Sequence, residues 1–170
     1  MMRWLIWVGV LLAGTLGWAH WPDRPLPADA RADRVIVHKS ARTLELLRGG
    51  TVLKSYRISL GRHPVGPKER EGDGRTPEGA YVIDSANAAS AFHRALHISY
   101  PSGADRERAA SLGVNPGGLV MIHGMKNGLG WIGRLHRFMD WTNGCVAVDN
   151  AEMDEIWRAV PVGTPIELRP

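Results

Sequence analysis

Cysteine is almost missing: the 170-residue chain has one, Cys145. That excludes an intramolecular disulfide and leaves three roles for the thiol: an inert buried side chain, an intermolecular partner or a nucleophile. Phe and Tyr are scarce too, at two and three. No block of consecutive Lys or Arg occurs, and no basic stripe interleaved with aromatics, so the footprint of a nucleic-acid binder is lacking and nucleic acid is not expected as a partner. No apolar run reaches the roughly 20 residues of a membrane-spanning helix. Internal repeats and collagen-like periodicity are absent. Hydrophobic residues at 44% against 22% charged exclude a disordered chain. The formal charge of +4 favours attraction to an anionic polymer or envelope surface.

What is present begins with a leader pattern. Arg3 precedes an apolar run, Trp4 to Trp18, broken only by glycine and Thr15, which suits the core of a signal peptide. Gly17-Trp18-Ala19 sets small residues three and one before a cut after Ala19. Residues 1–19 therefore read as a signal peptide or as an uncleaved N-terminal membrane anchor. Either places the body outside the cytoplasm, in the periplasm or cell envelope. Residues 20–33 are Pro-rich and read as a linker without regular structure, and 34–170 as one domain, which is what this length can hold.

From Arg34 the pattern is that of strands. Val35 to Val37, Thr43 to Leu47 and Thr51 to Leu60 form a first group, with Gly49-Gly50 as a hairpin turn. Gly61 to Gly74, rich in Gly, Pro and mixed charge, reads as a loop. Further strands are expected at Gly79 to Asp84, Ala95 to Tyr100, Leu119 to Ile122, Cys145 to Val148 and Pro165 to Arg169. A helix is expected over Asp105 to Leu112, stopped by Gly113. A second, capped by Asp149 or Asn150, runs to about Val160, with Asp149 and Glu152 as a capping box. Many short strands with one or two short helices predict a mainly-β sandwich.

The chemistry concentrates between Met121 and Val148. The strand ending in Ile122 delivers His123-Gly124, and Asn143-Gly144 leads into Cys145 at the start of another strand. Thiol catalysis needs a thiolate, an imidazole to generate it and donors for the oxyanion. A free cysteine, with a pKa of roughly 8.5, is only a few per cent thiolate at neutral pH unless a His or a positive dipole lowers it. Gly144 permits a tight turn and a close substrate approach. The amide N–H groups of Gly144 and Cys145 are then candidates to face the oxyanion. His136 is a candidate partner or alternative base, and Arg134, Arg137 and Lys126 are candidates to grip substrate carboxylates. His93 and His97 lack the glutamate of a zinc-protease helix, and no metal is expected. Gly128 to Trp141 has two readings, a helix-like stretch packed on the sheet or a lid. In both, Trp131, Leu135 and Phe138 lie at near-helical spacing and form one apolar face.

Ile122-His123-Gly124 followed by Thr142-Asn143-Gly144-Cys145-Val146 resembles the signature of the L,D-transpeptidase catalytic domain, the YkuD-like family. Gly74-Arg75-Thr76-Pro77-Glu78-Gly79-Ala80-Tyr81 resembles the strand entry that precedes it there. Asp140-Trp141-Thr142 and the stretch Asn150 to Ile156 are similar to an envelope-associated murein branch. The likeness spans about Val35 to Arg169. It implies a mainly-β sandwich, no metal or organic cofactor, and peptidoglycan stem peptides as substrate. By position it implies Cys145 as nucleophile, attacking the amide after the L-centre of meso-diaminopimelate, with His123 as base and the Gly124 carbonyl orienting the imidazole. The sequence departs from the family at Asn143, where His is usual two before the cysteine, and at Ala147, often Arg. Asn143 donates a hydrogen bond to substrate but cannot relay a proton. Three functions fit: transpeptidation, hydrolysis at the same bond type as an L,D-carboxypeptidase or an amidase, and a non-catalytic peptidoglycan-binding module. The last is disfavoured by an intact His123 and Cys145.

Overall fold

The computed structural model describes residues 24–170, with Trp4, Trp7, Gly14 and Gly17 as isolated positions before them. The leader, 1–19, therefore lies outside the described stretch. Residues 24–33, expected as linker, are docked on the domain. Leu26 and Ala32 are buried. The Leu26 N–H donates to Glu155 Oε1 at 3.1 Å and the Ala32 N–H to the Ala159 carbonyl at 2.8 Å. Proline keeps regular structure out of this segment, but it does not prevent apolar side chains from packing.

Short runs rich in aliphatic residues build an antiparallel meander, β1 (Arg34–His38), β2 (Thr43–Arg48) and β3 (Thr51–Arg57). β4 (Gly79–Asn87), β5 (Ala95–Ile98), β6 (Met121–His123) and β7 (Val146–Ala147) follow, and β8 (Pro165–Arg169) closes the chain. The order across the sheet is β3-β2-β1-β8-β4-β5-β6-β7. The last strand thus lies in the interior of the sheet, parallel to β1 and antiparallel to β4. Helix α1 (Gly103–Ser111) joins β5 to β6, and α2 (Asn150–Ala159) joins β7 to β8. Both start on capping boxes, Ser102 with Asp105 and Asp149 with Glu152. The first of these begins α1 two residues before the expected Asp105.

The third strand ends at Arg57, short of the expected Leu60, because Ile58 to Arg62 leaves β2 and crosses to the opposite edge. There Ser59 bridges Ala147 of β7, and Gly61 bridges Thr142. The two edges of the eight-stranded sheet are stitched together, so the sandwich is one curled sheet around one core. Leu44, Leu46, Tyr56, Ile83, Ile98, Ile122 and Ile166 fill it, covered by Met153 and Ile156 from one face of α2. Removing such side chains from water, at about 25 cal/mol per Å² of apolar area, is the main force holding the curl closed.

Candidate active site

β6 and β7 are parallel neighbours, with Ile122 opposite Val146 and His123 opposite Ala147. His123 ends one strand and Cys145 stands just before the other, so residues distant in sequence meet at one cavity of about 1150 Å³. Phe92, Met125, Trp141, Asn143 and Gly144 line it with them.

His123 is buried, and its Nδ1 lies 2.7 Å from the Gly124 carbonyl. A carbonyl only accepts, so Nδ1 carries the hydrogen and Nε2 the lone pair. Its ring packs on Phe92 and Trp141, at 4.7 and 5.7 Å between centroids. Burial lowers the pKa of His123 against the opposing pull of the Gly124 bond, which favours a neutral imidazole. Cys145 is partly exposed, and its Sγ–H donates to the Leu119 carbonyl at 3.5 Å. Burial pushes the thiol pKa up, opposed by the Met121 backbone and by the charge of Lys68. Desolvation thus outweighs the groups that favour the thiolate.

The turn before Cys145 is built on backbone contact. Thr142 Oγ1 accepts from the Gly144 N–H at 3.1 Å and donates to the Cys145 carbonyl at 2.8 Å. The Gly144 amide, expected to face an oxyanion, is thus engaged inside the turn. Gly144 has φ of 129°, and a Cβ there would stand 2.6 Å from the Arg75 carbonyl. Beneath it, a Cβ on Gly61 would lie 2.2 Å from the Gly74 carbonyl. Three chain segments stack here with no side chain between them. Gly124 is equally enclosed, because a Cβ would meet Asn150 Oδ1 at 2.8 Å.

His136 is buried and lines the same cavity. Ser59 Oγ donates to the His136 carbonyl at 3.0 Å and lies 3.0 Å from His136 Nδ1. One hydroxyl hydrogen serves one acceptor, so Nδ1–H donates to Ser59, and Nε2 keeps a lone pair with no hydrogen-bond partner among the described residues. Burial, with Arg137 and His123 nearby, lowers this imidazole to about 4. Asn143 is exposed at the cavity wall. Arg134 and Arg137, expected at the substrate, instead line a separate hollow beside Leu26 and Lys54. Arg137 is held there by Glu152 at 2.7 Å and Asp149 at 3.3 Å, because the carboxylates of the α2 cap need a cation. His93 and His97 bind different carboxylates, Asp154 at 2.8 Å and Asp84 at 2.6 Å.

Gly130–Phe138 is a 3-10 segment broken at Gly133, with φ 51° and ψ −136°. The single apolar face expected of Trp131, Leu135 and Phe138 does not form. The break turns Trp131 and Phe138 outward, 61% and 75% exposed, while Leu135 lines the cavity. Sequence reasoning also missed Lys68, which is 5% exposed, lines the cavity and pairs with Asp73 at 2.8 Å. Its loop has the composition of a solvated surface. The one local signal was Asp73 between two glycines, a turn-former placed to collect backbone N–H groups.

The family model of the L,D-transpeptidase catalytic domain (YkuD) matches residues 32–168. YafK of Escherichia coli (strain K12), named as a candidate L,D-transpeptidase, is 30% identical over 130 residues, which cover 73% of this chain and 45% of YafK. The chain thus spans less than half of that relative's length. Among solved structures, the helical cell shape determining protein Pgp2 of Campylobacter jejuni aligns with a TM-score of 0.61 at 20% identity, over 91% of this chain and 53% of Pgp2. An L,D-transpeptidase of Xylanimonas cellulosilytica DSM 15894 aligns with a TM-score of 0.52 at 19% identity, over 86% of this chain and 65% of that one. These two share the curled-sheet fold. With its family match covering nearly all of the described residues, the chain belongs to the L,D-transpeptidase catalytic domain family.

Proposed function

We propose that the protein is an exported cysteine-dependent acyltransferase that cleaves the amide after the L-centre of diaminopimelate in peptidoglycan stem peptides. The observation that carries this reading is the tautomer of His123. With Nδ1–H given to Gly124, its Nε2 is a proton acceptor at the cavity that Cys145 shares. Burial disfavours both the imidazolium and the thiolate, so the resting pair is neutral. The proton then leaves sulfur as sulfur attacks, in general-base fashion. Sγ bonds to the carbonyl carbon while Nε2 takes the thiol hydrogen. The tetrahedral adduct collapses with cleavage of the C–N bond, and the imidazolium returns the proton to the departing amine. A second amine, deprotonated through the same Nε2, attacks the thioester and restores the thiol.

Water is the alternative acceptor, giving an L,D-carboxypeptidase or an amidase. One observation favours this second reading: the apolar residues at the cavity wall, Leu119 and Met139, are 73% and 66% exposed, so the thioester is not sealed from solvent. Digested muropeptides incubated with the protein, with and without an amine acceptor, separate the two by mass. Cys145→Ser, nearly isosteric and far less nucleophilic, abolishes both products while the thermal unfolding midpoint stays within a few degrees of wild type. A folded Ser variant with near-wild-type turnover refutes the assignment.

A further inference from the structure

Two lysines are almost fully buried, and they use their hydrogens differently. Lys39 Nζ donates to the Gly66 carbonyl at 2.6 Å, the Thr76 carbonyl at 2.8 Å and Glu78 Oε1 at 2.8 Å. An ammonium has three hydrogens, so Lys39 is saturated and acts as a clasp for its loop. Lys68 Nζ has two acceptors among the described residues, the Arg70 carbonyl at 3.0 Å and Asp73 Oδ1 at 2.8 Å. Its third hydrogen has no protein acceptor there, yet the side chain is 4% exposed. The ammonium is also held at the nucleophile: it lies 3.9 Å from where a Cβ on Gly144 would stand, and its charge acts on the Cys145 thiol.

Asp73 is not a flexible counter-ion that could swing away to complete the shell. Its Oδ2 accepts from the Glu69 and Arg70 N–H groups at 2.8 and 3.1 Å, and its Oδ1 from Arg75 at 3.0 Å. Although burial opposes ionisation, the Lys68 ammonium and these backbone donors hold the carboxyl at about 2. The loop therefore fixes a cation beside Cys145 with one hydrogen more than the loop's own acceptors take up. A buried donor without a partner is costly, and a carboxylate is the partner that best repays it.

We propose that Lys68 is the recognition residue for the carboxylate of the D-amino acid on the far side of the L,D bond. The proposal rests on the stem-peptide reading above. The lysine charge also favours the thiolate, but that contribution is common to every acyl donor, so discrimination between donors isolates recognition.

The test uses the described chain carrying Cys145→Ser, which binds without turnover, and two probes: a stem tetrapeptide with a free C-terminal carboxylate and its C-terminal carboxamide. Calorimetry is expected to give about tenfold tighter binding of the acid, in keeping with one charge-assisted hydrogen bond. Adding Lys68→Gln brings the two affinities within about twofold, whereas Lys68→Arg retains most of the preference, and unfolding midpoints of all variants establish that they are folded. If Lys68→Gln loses the fold, the folded Lys68→Arg variant and the wild-type ratio of kcat/KM for acid over amide decide. A preference that survives Lys68→Gln, or no preference in the parent, overturns the assignment to Lys68, and cleavage of the peptides by wild type then leaves the stem-peptide reading standing. Failure of wild type to cleave either peptide, with no binding to the Ser variant, removes the stem-peptide reading and this proposal with it.

Discussion

His123 spends its Nδ1 hydrogen on the adjacent Gly124 carbonyl at 2.7 Å, and that bond leaves Nε2 as the atom able to take a proton. Burial moves the imidazole and the thiol in opposite directions, His123 down and Cys145 up. The imidazole is then neutral, and able to accept a proton, to lower pH than a free histidine of pKa about 6.5. The acid limb of kcat/KM is expected to fall below that value. Iodoacetamide, which reads resting thiolate, should label Cys145 slowly at pH 7 and faster as pH rises past the usual thiol range. His123→Ala should cost turnover at least about 100-fold, the ordinary worth of a general base, with little change in labelling rate at pH 7. Rapid labelling of wild type that His123→Ala slows would establish a resting ion pair and overturn the neutral-pair mechanism.

Among the elements, α2 carries a charge arrangement that makes its own prediction. Glu152 supplies the capping-box carboxylate at its N-terminus and is buried. Burial, with Asp149 beside it, raises its pKa to about 7 in spite of Arg137. The folded state therefore holds this proton over a range, from about 4.3 upward, where the unfolded chain has released it. Between pH 5 and pH 7 the folded state binds more protons, so this group makes the protein less stable as pH rises. Glu152→Gln keeps an N3 side chain able to cap and removes the titration. The drop in unfolding midpoint from pH 5 to pH 7 should be smaller in the variant than in wild type. An equal drop in both would assign the pH dependence to another group. The Gly130–Phe138 segment is tied to the same carboxylates through Arg137, so the titration acts on one wall of the cavity as well.

At the scale of the whole molecule, the decisive contact is the seam where Ile58 to Arg62 meets the stretch from Thr142 to Ala147 on either side of Cys145. Gly61 lies in it, and a Cβ there would sit 2.2 Å from the Gly74 carbonyl, a backbone atom that no rotamer change can move. Gly61→Ala is expected to destabilise the fold by about 3 kcal/mol, the upper end of overpacking costs. It should lower turnover more than its loss of folded protein explains. Urea unfolding beside activity per folded molecule checks both, and a change below about 1 kcal/mol would mean that the seam can open without loss.

This seam also marks what the sequence could not tell. The strands at Thr43 and Pro165 and the cap at Asp149 are local patterns, and they were legible as such. His123 and Cys145 were singled out by their place at strand ends beside glycine together with the family signature, and they do line one cavity. The crossing at Ser59, the burial of Lys68 and the outward turn of Trp131 and Phe138 were not. Each depends on a partner from a distant segment or, at Gly133, on one backbone angle that no periodicity encodes.

The position of β8 has a consequence in time. Pro165–Arg169 lies between β1 and β4 and hydrogen-bonds to both, so the sheet has a gap at its middle until this strand, which follows the seven others described, is made. Before then a nascent chain can form its hairpins and the bridges of Ser59 and Gly61, but β1 and β4 have no strand between them to pair with. Completion of the sheet is thereby deferred until Pro165–Arg169 is made, and a chain cut short before β8 carries His123 and Cys145 without the continuous frame around their strands.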